Sequence, residues 1–247
     1  MDIVYVIGNG SQKDNLELRM SLRSIARFGS NIGKVIVVGK PPKWLSDEAL
    51  KVDVEDKYTY KHSNILLCIE EVVDRGVVKG DFLYSSDDHF YVKAIDFDNY
   101  PVYLKGELRK SVSTMDPYYK YHKSLVDTRM LCEKHGLPAM NYSQHCNTHM
   151  NAEVIKEIKP ILHESYCLPY GVEPTSIIMN AWQTKPDAPT PVKREDVKIL
   201  NANSLLDIWK QIGDRDCFSI SDSALRGKPM KTFLNNEYCI KSIFEAD

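Results

Sequence analysis

The sequence predicts an α/β protein with a mostly parallel sheet, flanking helices and a single domain over residues 1–247. Continuous apolar runs at residues 3–7 and 35–38 are typical of strands buried on both faces. Stretches with helical spacing of apolar residues lie between such runs, and this alternation favours parallel strands joined by right-handed crossovers. The 247 residues are enough to bury a large core.

Turn-forming residues set the boundaries of the elements in the first half. The first strand ends at the Gly-rich turn of residues 8–11, and Gly29 and Gly76 are each positioned to end a helix. Pro41 and Pro42 interrupt the chain after the second strand. In order, the predicted elements are a strand at 3–7, a helix from 14 or 15 to 29, a strand at 34–39, a short strand at 52–54, a helix from 63 or 64 to 76 and a strand at 81–85.

The second half, residues 96–247, is less regular. Asn151 is a predicted helix cap, and Pro160 is expected to end the helix that Asn151 begins. The predicted helices lie at 124–136, 151–159, 174–182 and 204–213, with a Pro-rich loop at 184–190. In an open α/β sheet, ligands bind beyond the carboxyl ends of the strands. The turns that follow the strands at 3–7 and 81–85 are therefore the predicted ligand positions.

Composition and charge narrow the possible function classes. A formal net charge of −2 provides no global basic field for nucleic acid, although a local patch stays possible. No apolar stretch approaches the ~20 residues needed to span a bilayer, and no leader pattern precedes the first strand. The six cysteines show no C-x-x-C spacing, which predicts reduced thiols. We therefore expect a cytoplasmic protein without a transmembrane segment.

Two adjacent carboxylates, Asp87 and Asp88, follow the strand at residues 81–85. Like charges side by side raise each other's pKa, so a bound cation is the natural partner for the pair. Hard oxygen ligands suit Mg²⁺ or Mn²⁺, and the alternative is a solvated turn or a helix cap. His89 is either a further ligand or a residue that faces the cleft.

Two histidines, His145 and His149, are spaced i, i+4. One of them is a candidate third metal ligand or general base. A zinc site that uses both is not expected, because no Cys or Glu partner has suitable spacing. The alternative is a pair of polar histidines with structural hydrogen bonds.

Three other patterns are candidates for ligand contact. Arg19, Arg23 and Arg27 form a stripe at i, i+4 and i+8, which suits phosphate binding or a solvated basic face. Residues 117–123 (PYYKYHK) interleave tyrosines with basic residues, which suits stacking on a sugar or base, or an ordinary surface turn. The turn at residues 8–11 lacks both the third glycine of a dinucleotide fingerprint and a Walker lysine, so an NAD-type oxidoreductase is disfavoured.

Four stretches, in order and with matching spacing, resemble the Stealth family of capsular-polysaccharide sugar-phosphate transferases. More loosely, they resemble glycosyltransferases of the GT-A fold. Residues 15–25 (NLELRMSLRSI) are similar to the family block N-x-E-L-R-Y-S-L-R-S-I, and residues 42–45 (PKWL) are similar to P-x-W-L. Ser63 and Asn64 resemble part of F-N-S-N-A-I-E, and residues 82–90 (FLYSSDDHF) resemble F-L-Y-x-N-D-D-x-F.

The resemblance implies a GT-A-like, Rossmann-type fold, a nucleotide-sugar donor, bound Mn²⁺ or Mg²⁺ and transfer to an acceptor hydroxyl. Residues 1–95 would form the nucleotide-sugar-binding half and residues 96–247 the acceptor side. His145 fits a later family histidine better than His149 does. The implied site residues are Gly8, Asn9, Arg19, Arg23 and Asn64 for the donor, Asp87, Asp88, His145 and His149 for the metal, and Asp88 and His145 for catalysis.

Departures from the family pattern leave alternatives open. An acidic residue of the family's opening turn is absent from residues 7–11, and Ser86 stands where the family has Asn. Either a sugar or a sugar-1-phosphate is transferred, and the acceptor is a glycan or, as in phage DNA modification, a hydroxylated base in DNA. The alternative of another class is a non-catalytic nucleotide-sugar binding module.

Overall fold

A computed structural model of the chain describes residues 1–8 and 14–246. Its strands are β1 (Asp2–Ile7), β2 (Gly29–Ser30), β3 (Val35–Gly39), β4 (Ala49–Asp53), β5 (Asp81–Ser85), β6 (His89–Tyr91), β7 (Ile95–Asp96), β8 (Tyr103–Leu104), β9 (Gly106–Glu107), β10 (Met140–Asn141), β11 (Thr148–Asn151), β12 (Val192–Lys193), β13 (Lys198–Ile199) and β14 (Cys217–Ile220). Its α-helices are α1 (Leu16–Phe28), α2 (Lys61–Asp74), α3 (Leu108–Ser113), α4 (Lys120–Lys134), α5 (Ala152–Glu157), α6 (Lys159–Ser165), α7 (Pro174–Trp182), α8 (Leu205–Ile212), α9 (Asp222–Arg226) and α10 (Lys228–Glu237).

The central sheet has the strand order β11-β5-β1-β3-β4. Strands β5, β1, β3 and β4 run parallel, and β11 is an antiparallel edge strand. The predicted mostly parallel α/β architecture is therefore confirmed. The chain winds outward from β1 to β3 and β4, and then returns through α2 to place β5 on the other side of β1. This reversal leaves a crevice at the carboxyl ends of β1 and β5.

The period-two alternation of β1 divides the core between two faces of the sheet. Ile3 and Tyr5 pack with Leu22 of α1 on one face. Val4 packs with Ile69 of α2 on the other face. Because both faces are covered, the central strands are apolar at nearly every position, which is the pattern that made them recognisable in the sequence.

A second, three-stranded sheet (β13-β14-β6) begins where the central sheet ends. Residues 86–88 connect β5 of the first sheet to β6 of the second, and β6 pairs antiparallel with β14. Phe90 of β6 packs in a separate core with residues of β14, α8 and α10. The turn that carries Asp87 and Asp88 is thus fixed at both ends by a buried strand.

Several boundaries differ from the predicted ones. α2 begins at Lys61, with Tyr60 at the cap position, so neither Ser63 nor Asn64 caps it. Asn151 caps α5 as predicted, because its side chain accepts hydrogen bonds from the backbone of Glu153 and Val154. Pro160 lies in the first turn of α6, where the absence of an N–H costs no hydrogen bond, and it does not end a helix.

Strand β11 comes from residues 96–247 but completes the sheet built by residues 1–95. The two halves of the chain therefore share one central sheet. The six cysteines are free thiols, and Cys68, Cys132, Cys146 and Cys217 are buried. Within residues 1–8 and 14–246, no helix has the length and apolar character that crossing a membrane requires.

Candidate functional site

A large cavity lies at the carboxyl ends of β1 and β5, where the winding of the sheet reverses. Its volume is about 1010 Å³. Gly8 follows β1 and lines it, and Tyr84, Asp87 and Asp88 line it from the end of β5. A cavity of this size has room for a ligand as large as a nucleotide carrying a further group. The cavity lies at the strand ends where the sequence predicts a ligand site, and ligand binding there stays a prediction.

Asp87 and Asp88 both line the cavity but have different environments. Burial and the charge of Asp88 raise the pKa of Asp87 from 3.8 to about 7. Burial also opposes ionisation of Asp88, but its interactions with His89 and Lys198 outweigh it and leave the pKa of Asp88 lowered. The Lys198 ammonium lies 3.5 Å from Asp88 Oδ2, and His89 Nε2 lies 3.9 Å from Asp88 Oδ1. Asp88 is therefore the carboxylate that stays ionised.

A third carboxylate, Glu17, faces the same cavity from the first turn of α1. Burial and the charges of Asp87 and Asp88 raise its pKa from 4.5 to about 8. Asp88 stays ionised, whereas burial and mutual repulsion favour the protonated forms of Asp87 and Glu17. A cation placed among them would relieve the repulsion.

Basic residues line the cavity beside these acids. Lys61 is the first residue of α2 and Lys198 is the first residue of β13. The N-terminus of α2 adds the positive end of a helix dipole at the Lys61 position. Acidic and basic groups thus share one cavity, as expected of a site for a metal and phosphates together.

The part of the cavity against α2 is more apolar. Val6, Ile65, Cys68 and Tyr84 line it, and Tyr58 adds an aromatic ring. Flat apolar walls of this kind suit a nucleobase or another planar ring. The cavity therefore has one charged end and one end suited to stacking.

Asn64 lines the cavity, and most of the hydrogen-bonding capacity of its amide is used by the protein. Asn64 Oδ1 accepts hydrogen bonds from the backbone N–H groups of Lys57 and Tyr58, at 3.0 and 2.9 Å. Its Nδ2 donates to the Tyr58 carbonyl at 2.7 Å. Asn64 therefore holds the loop that carries Tyr58, and its predicted contact with the donor stays a prediction.

His145 lies near the charged end of the site. The charges of Lys198 and Asp88 both act on it, and burial is the main cause that lowers its pKa to about 4, so the ring is neutral at pH 7. Its backbone N–H donates to Asp196 Oδ2 at 2.5 Å, and Lys105 pairs with the same oxygen at 3.0 Å. Asp196 and Lys105 therefore fix the backbone that presents His145.

His149 was predicted as an alternative metal ligand, and its observed contacts argue against that role. It lies on β11, opposite Leu83 of β5. Its Nε2 is 2.6 Å from the carbonyl of Tyr100, to which it donates, and its ring packs on the Tyr100 ring at 6.1 Å. This hydrogen bond uses Nε2, and His149 is not among the residues that line the cavity with Asp87 and Asp88, so its contacts indicate a structural role.

The predicted phosphate-binding role of the arginine stripe is also corrected. Arg23 makes a paired contact with Glu245, with Nε–Oε1 at 2.7 Å and Nη2–Oε2 at 2.8 Å. Arg19 stacks over Trp44 at 4.3 Å and pairs with Glu245 at 3.4 Å. Both guanidiniums face the chain's own residues 44 and 245, and neither is among the residues that line the cavity.

The remaining predicted residues have different outcomes. Asn9 lies outside the described residues. His89 is buried, and its Nδ1 accepts a hydrogen bond from the backbone of Ser86 at 3.3 Å, which helps to fix the aspartate turn. Tyr118 and Tyr119 are exposed and do not line the cavity.

Whether Asp87 and Asp88 can hold a metal depends on the other ligands that complete its coordination shell. Among residues 1–8 and 14–246, no three His, Cys, Asp or Glu side chains converge in a way that would hold a metal by themselves. Magnesium and similar ions at nucleotide sites use only one or two protein carboxylates, and substrate phosphates and waters complete the shell. Asp87 and Asp88 fit that second kind of site.

Sequence reasoning missed Glu17, Lys61, Lys198 and Asp222 as cavity residues. Glu17 lay within the motif at residues 15–25, but its role could be identified only from its distance to the aspartates in space. Lys198 comes from a two-residue strand with no pattern of its own. A scan against protein-family models finds no match for this chain, and a search of curated proteins finds no significant match.

Proposed function

We propose that this chain is a divalent-metal-dependent transferase that takes a sugar or a sugar-1-phosphate from a nucleotide-sugar and passes it to an acceptor hydroxyl. The observation that carries the proposal is the convergence of Glu17, Asp87 and Asp88 on one large cavity that also presents Lys61 and Lys198. The resemblance of residues 15–25 and 82–90 to the Stealth family supports the same reading.

The two ends of the cavity suit the two parts of such a donor. The nucleoside would lie against Tyr58, Ile65 and Tyr84, in the apolar part. The diphosphate would then reach the charged end, where Lys61 and Lys198 offer ammonium groups. This orientation brings the bond that breaks beside the aspartate pair.

Asp87 and Asp88 would hold Mn²⁺ or Mg²⁺, and a bound ion supplies charge neutralisation for the leaving nucleotide. The protein's own contribution is to keep these carboxylates in place: the turn is anchored by β5 and β6, and His89 bonds to its backbone. Burial and the neighbouring carboxylates raise the pKa of Glu17 to about 8, and a bound cation would favour its ionised form.

His145 is the residue we assign to proton transfer. Its neutral imidazole has an unprotonated ring nitrogen that can accept the proton of an acceptor hydroxyl. Lys105 and Asp196 orient the loop that carries it. Replacing His145 with Ala should lower kcat while leaving donor affinity nearly unchanged, because the proposed donor contacts are with cavity residues and His145 is not among the residues that line the cavity.

The products distinguish the two versions of the reaction. Transfer of a sugar breaks the bond at the anomeric carbon and releases a nucleoside diphosphate. Transfer of a sugar-1-phosphate breaks the bond at the β-phosphorus and releases a nucleoside monophosphate. Anion-exchange separation of the nucleotide product with an acceptor panel, glycans and hydroxylated-base DNA included, therefore identifies both the bond and the acceptor.

The first test is a thermal-shift panel of nucleotide-sugars with Mn²⁺ and with excess EDTA. A donor at 100 times its Kd adds about 2.7 kcal/mol of stability, which raises the Tm of a domain this size by about 5–10 °C. We expect the shift with Mn²⁺ and its loss in EDTA or in the Asp88→Asn variant. Asp47→Asn, at a fully exposed position, is the matched control and should behave as wild type.

The outcomes separate the proposal from its competitors. Full turnover in EDTA or in Asp88→Asn would refute the metal-dependent mechanism. Metal-dependent donor binding without donor hydrolysis or transfer to any acceptor would identify a binding module in place of an enzyme. The absence of a shift with every nucleotide-sugar would remove the donor assignment.

A further inference from the structure

A second cavity, of about 440 Å³, lies between α2 and α6. Glu70, Glu71 and Asp74 line it from one face of α2, and His163 and Tyr166 line it from α6. Tyr58 completes the wall and also lines the larger cavity, so the two cavities share one side chain. Nothing in the proposed transfer reaction uses this second cavity.

The three carboxylates of the second cavity differ in their partners. Glu71 pairs with Arg75 at 2.9 Å, and Asp74 pairs with Lys159 at 2.5 Å. Glu70 is only 6% exposed, and its Oε2 accepts a hydrogen bond from the Tyr166 hydroxyl at 2.6 Å. Its Oε1 is buried and has no hydrogen-bond partner within residues 1–8 and 14–246. A buried carboxylate oxygen without a donor is unfavourable, so a ligand that donates a hydrogen bond to it would satisfy this oxygen.

Aromatic rings line the same cavity as this carboxylate. Tyr58 and Tyr166 stack with their ring centroids 4.5 Å apart and an interplanar angle of 4°. The His163 ring lies 6.3 Å from the Tyr166 ring. Aromatic faces attract organic cations, and an acidic group beside them adds a direct ion pair. Mg²⁺, in contrast, requires several oxygen ligands in an octahedral arrangement.

We propose that the second cavity binds the ammonium group of a small organic amine, with Glu70 as its ion-pair partner and the stacked Tyr58 and Tyr166 rings as its aromatic wall. Three observations support this: a buried carboxylate oxygen that lacks a donor, a cavity lined by that residue, and aromatic rings in contact with it. The Glu71 and Asp74 carboxylates have their own cations, so Glu70 is the residue left to bind a ligand.

Putrescine, a linear diamine, is the probe for this site, and 1,4-butanediol is its neutral counterpart. By calorimetric titration we expect wild-type protein to bind putrescine and not the diol. The Glu70→Gln variant keeps the shape and a hydrogen-bond partner for Tyr166, but it removes the charge. Loss of a hydrogen bond to a charged group should weaken putrescine binding by about 10- to 100-fold. Glu133→Gln, on the exposed face of α4, is the matched control and should bind as wild type.

Three results would overturn the proposal. These are no binding of putrescine at millimolar concentration, equal binding of the diol, and unchanged binding by Glu70→Gln. Displacement of putrescine by equimolar Mg²⁺ would show that the site takes an inorganic cation, which also overturns it. If Glu70→Gln does not fold, the Tyr58→Leu variant tests the proposal instead. It removes an aromatic ring and leaves the carboxylate, so its affinity for putrescine must be severalfold lower than that of wild type.

Discussion

Replacing Asp87 with Asn should stabilise the metal-free protein above neutral pH. The substitution keeps the shape of the side chain and removes a negative charge beside Asp88 and Glu17. In the folded protein the pKa of Asp87 is raised from 3.8 to about 7, with burial as the main cause and Asp88 second. Residues that bind a charged ligand often destabilise the protein when the ligand is absent. This substitution measures that loss of stability directly.

The sign and size of the effect follow from linkage. Below pH 4, Asp87 is protonated in both the folded and the unfolded chain, so the variant gains nothing. Between pH 4 and 7 the unfolded chain loses the proton while the folded chain keeps it, so wild-type stability falls as pH rises. At 1.36 kcal/mol for each pH unit between the two pKa values, the full cost above pH 7 is about 4 kcal/mol. Solvent in the open cavity screens part of this destabilisation. We therefore expect the Asp87→Asn variant to be about 2 kcal/mol more stable than wild type above pH 7.

The assay is urea unfolding of both proteins in EDTA at pH 4, 5, 6, 7 and 8. The difference in the free energy of unfolding should be near zero at pH 4, should grow to pH 7 and should then level off. Asp47→Asn, at an exposed position, should show no such trend. A variant that is less stable than wild type at pH 8, or a difference that is independent of pH, would refute the electrostatic account of this turn.

Two further predictions concern buried acids away from the cavity. Glu245→Gln should cost about 3 kcal/mol, because it leaves the Arg23 guanidinium without its paired carboxylate. The pKa of Glu245 is lowered from 4.5, since the Arg23 and Ser242 contacts outweigh the effect of burial. The Glu245 carboxylate therefore contributes to stability above pH 4.5, and this contribution is lost as pH falls through the lowered pKa. The free energies of unfolding of wild type and variant should become equal in acid. Unequal stabilities in acid would contradict this account. Glu173→Ala should cost about 2 kcal/mol by thermal unfolding, because Glu173 caps α7 from a buried position through the backbone of Thr175 and Ser176. Ser204→Ala, at the exposed cap of α8, should cost less, and an equal or larger loss there would contradict the role given to burial.

The fold of the first half was predictable because its signals are local. Strands β1, β3 and β5 are apolar runs bounded by turns, and α1 carries apolar residues at helical spacing. Strand β11 was not predictable by the same means. It is four residues long, contains His149 and Asn151, and is a strand only because β5 offers it an edge to pair with. Tertiary pairing, and not propensity, forms it.

The site was predictable where it lies on one segment. The pair Asp87 and Asp88 could be identified because a strand end and two acids are adjacent in the chain. Glu17, Lys61 and Lys198 join them from α1, α2 and β13, and the sequence separation between these elements hides their proximity. The repulsion that raises the pKa of Glu17 likewise depends on distances that only the folded chain defines.

The arginine stripe shows why periodicity identifies a face of a helix but not its partner. The spacing of Arg19 and Arg23 places two cations on one face of the helix, and this face can meet a phosphate, a carboxylate or solvent. The structure provides the carboxylate of Glu245, which also accepts hydrogen bonds from the backbone and hydroxyl of Ser242. These contacts fix α1 against residues near the end of the chain, and α1 carries Glu17 on another part of its surface. The arginines therefore act on the candidate site indirectly, by holding the helix that places the third carboxylate beside Asp87 and Asp88.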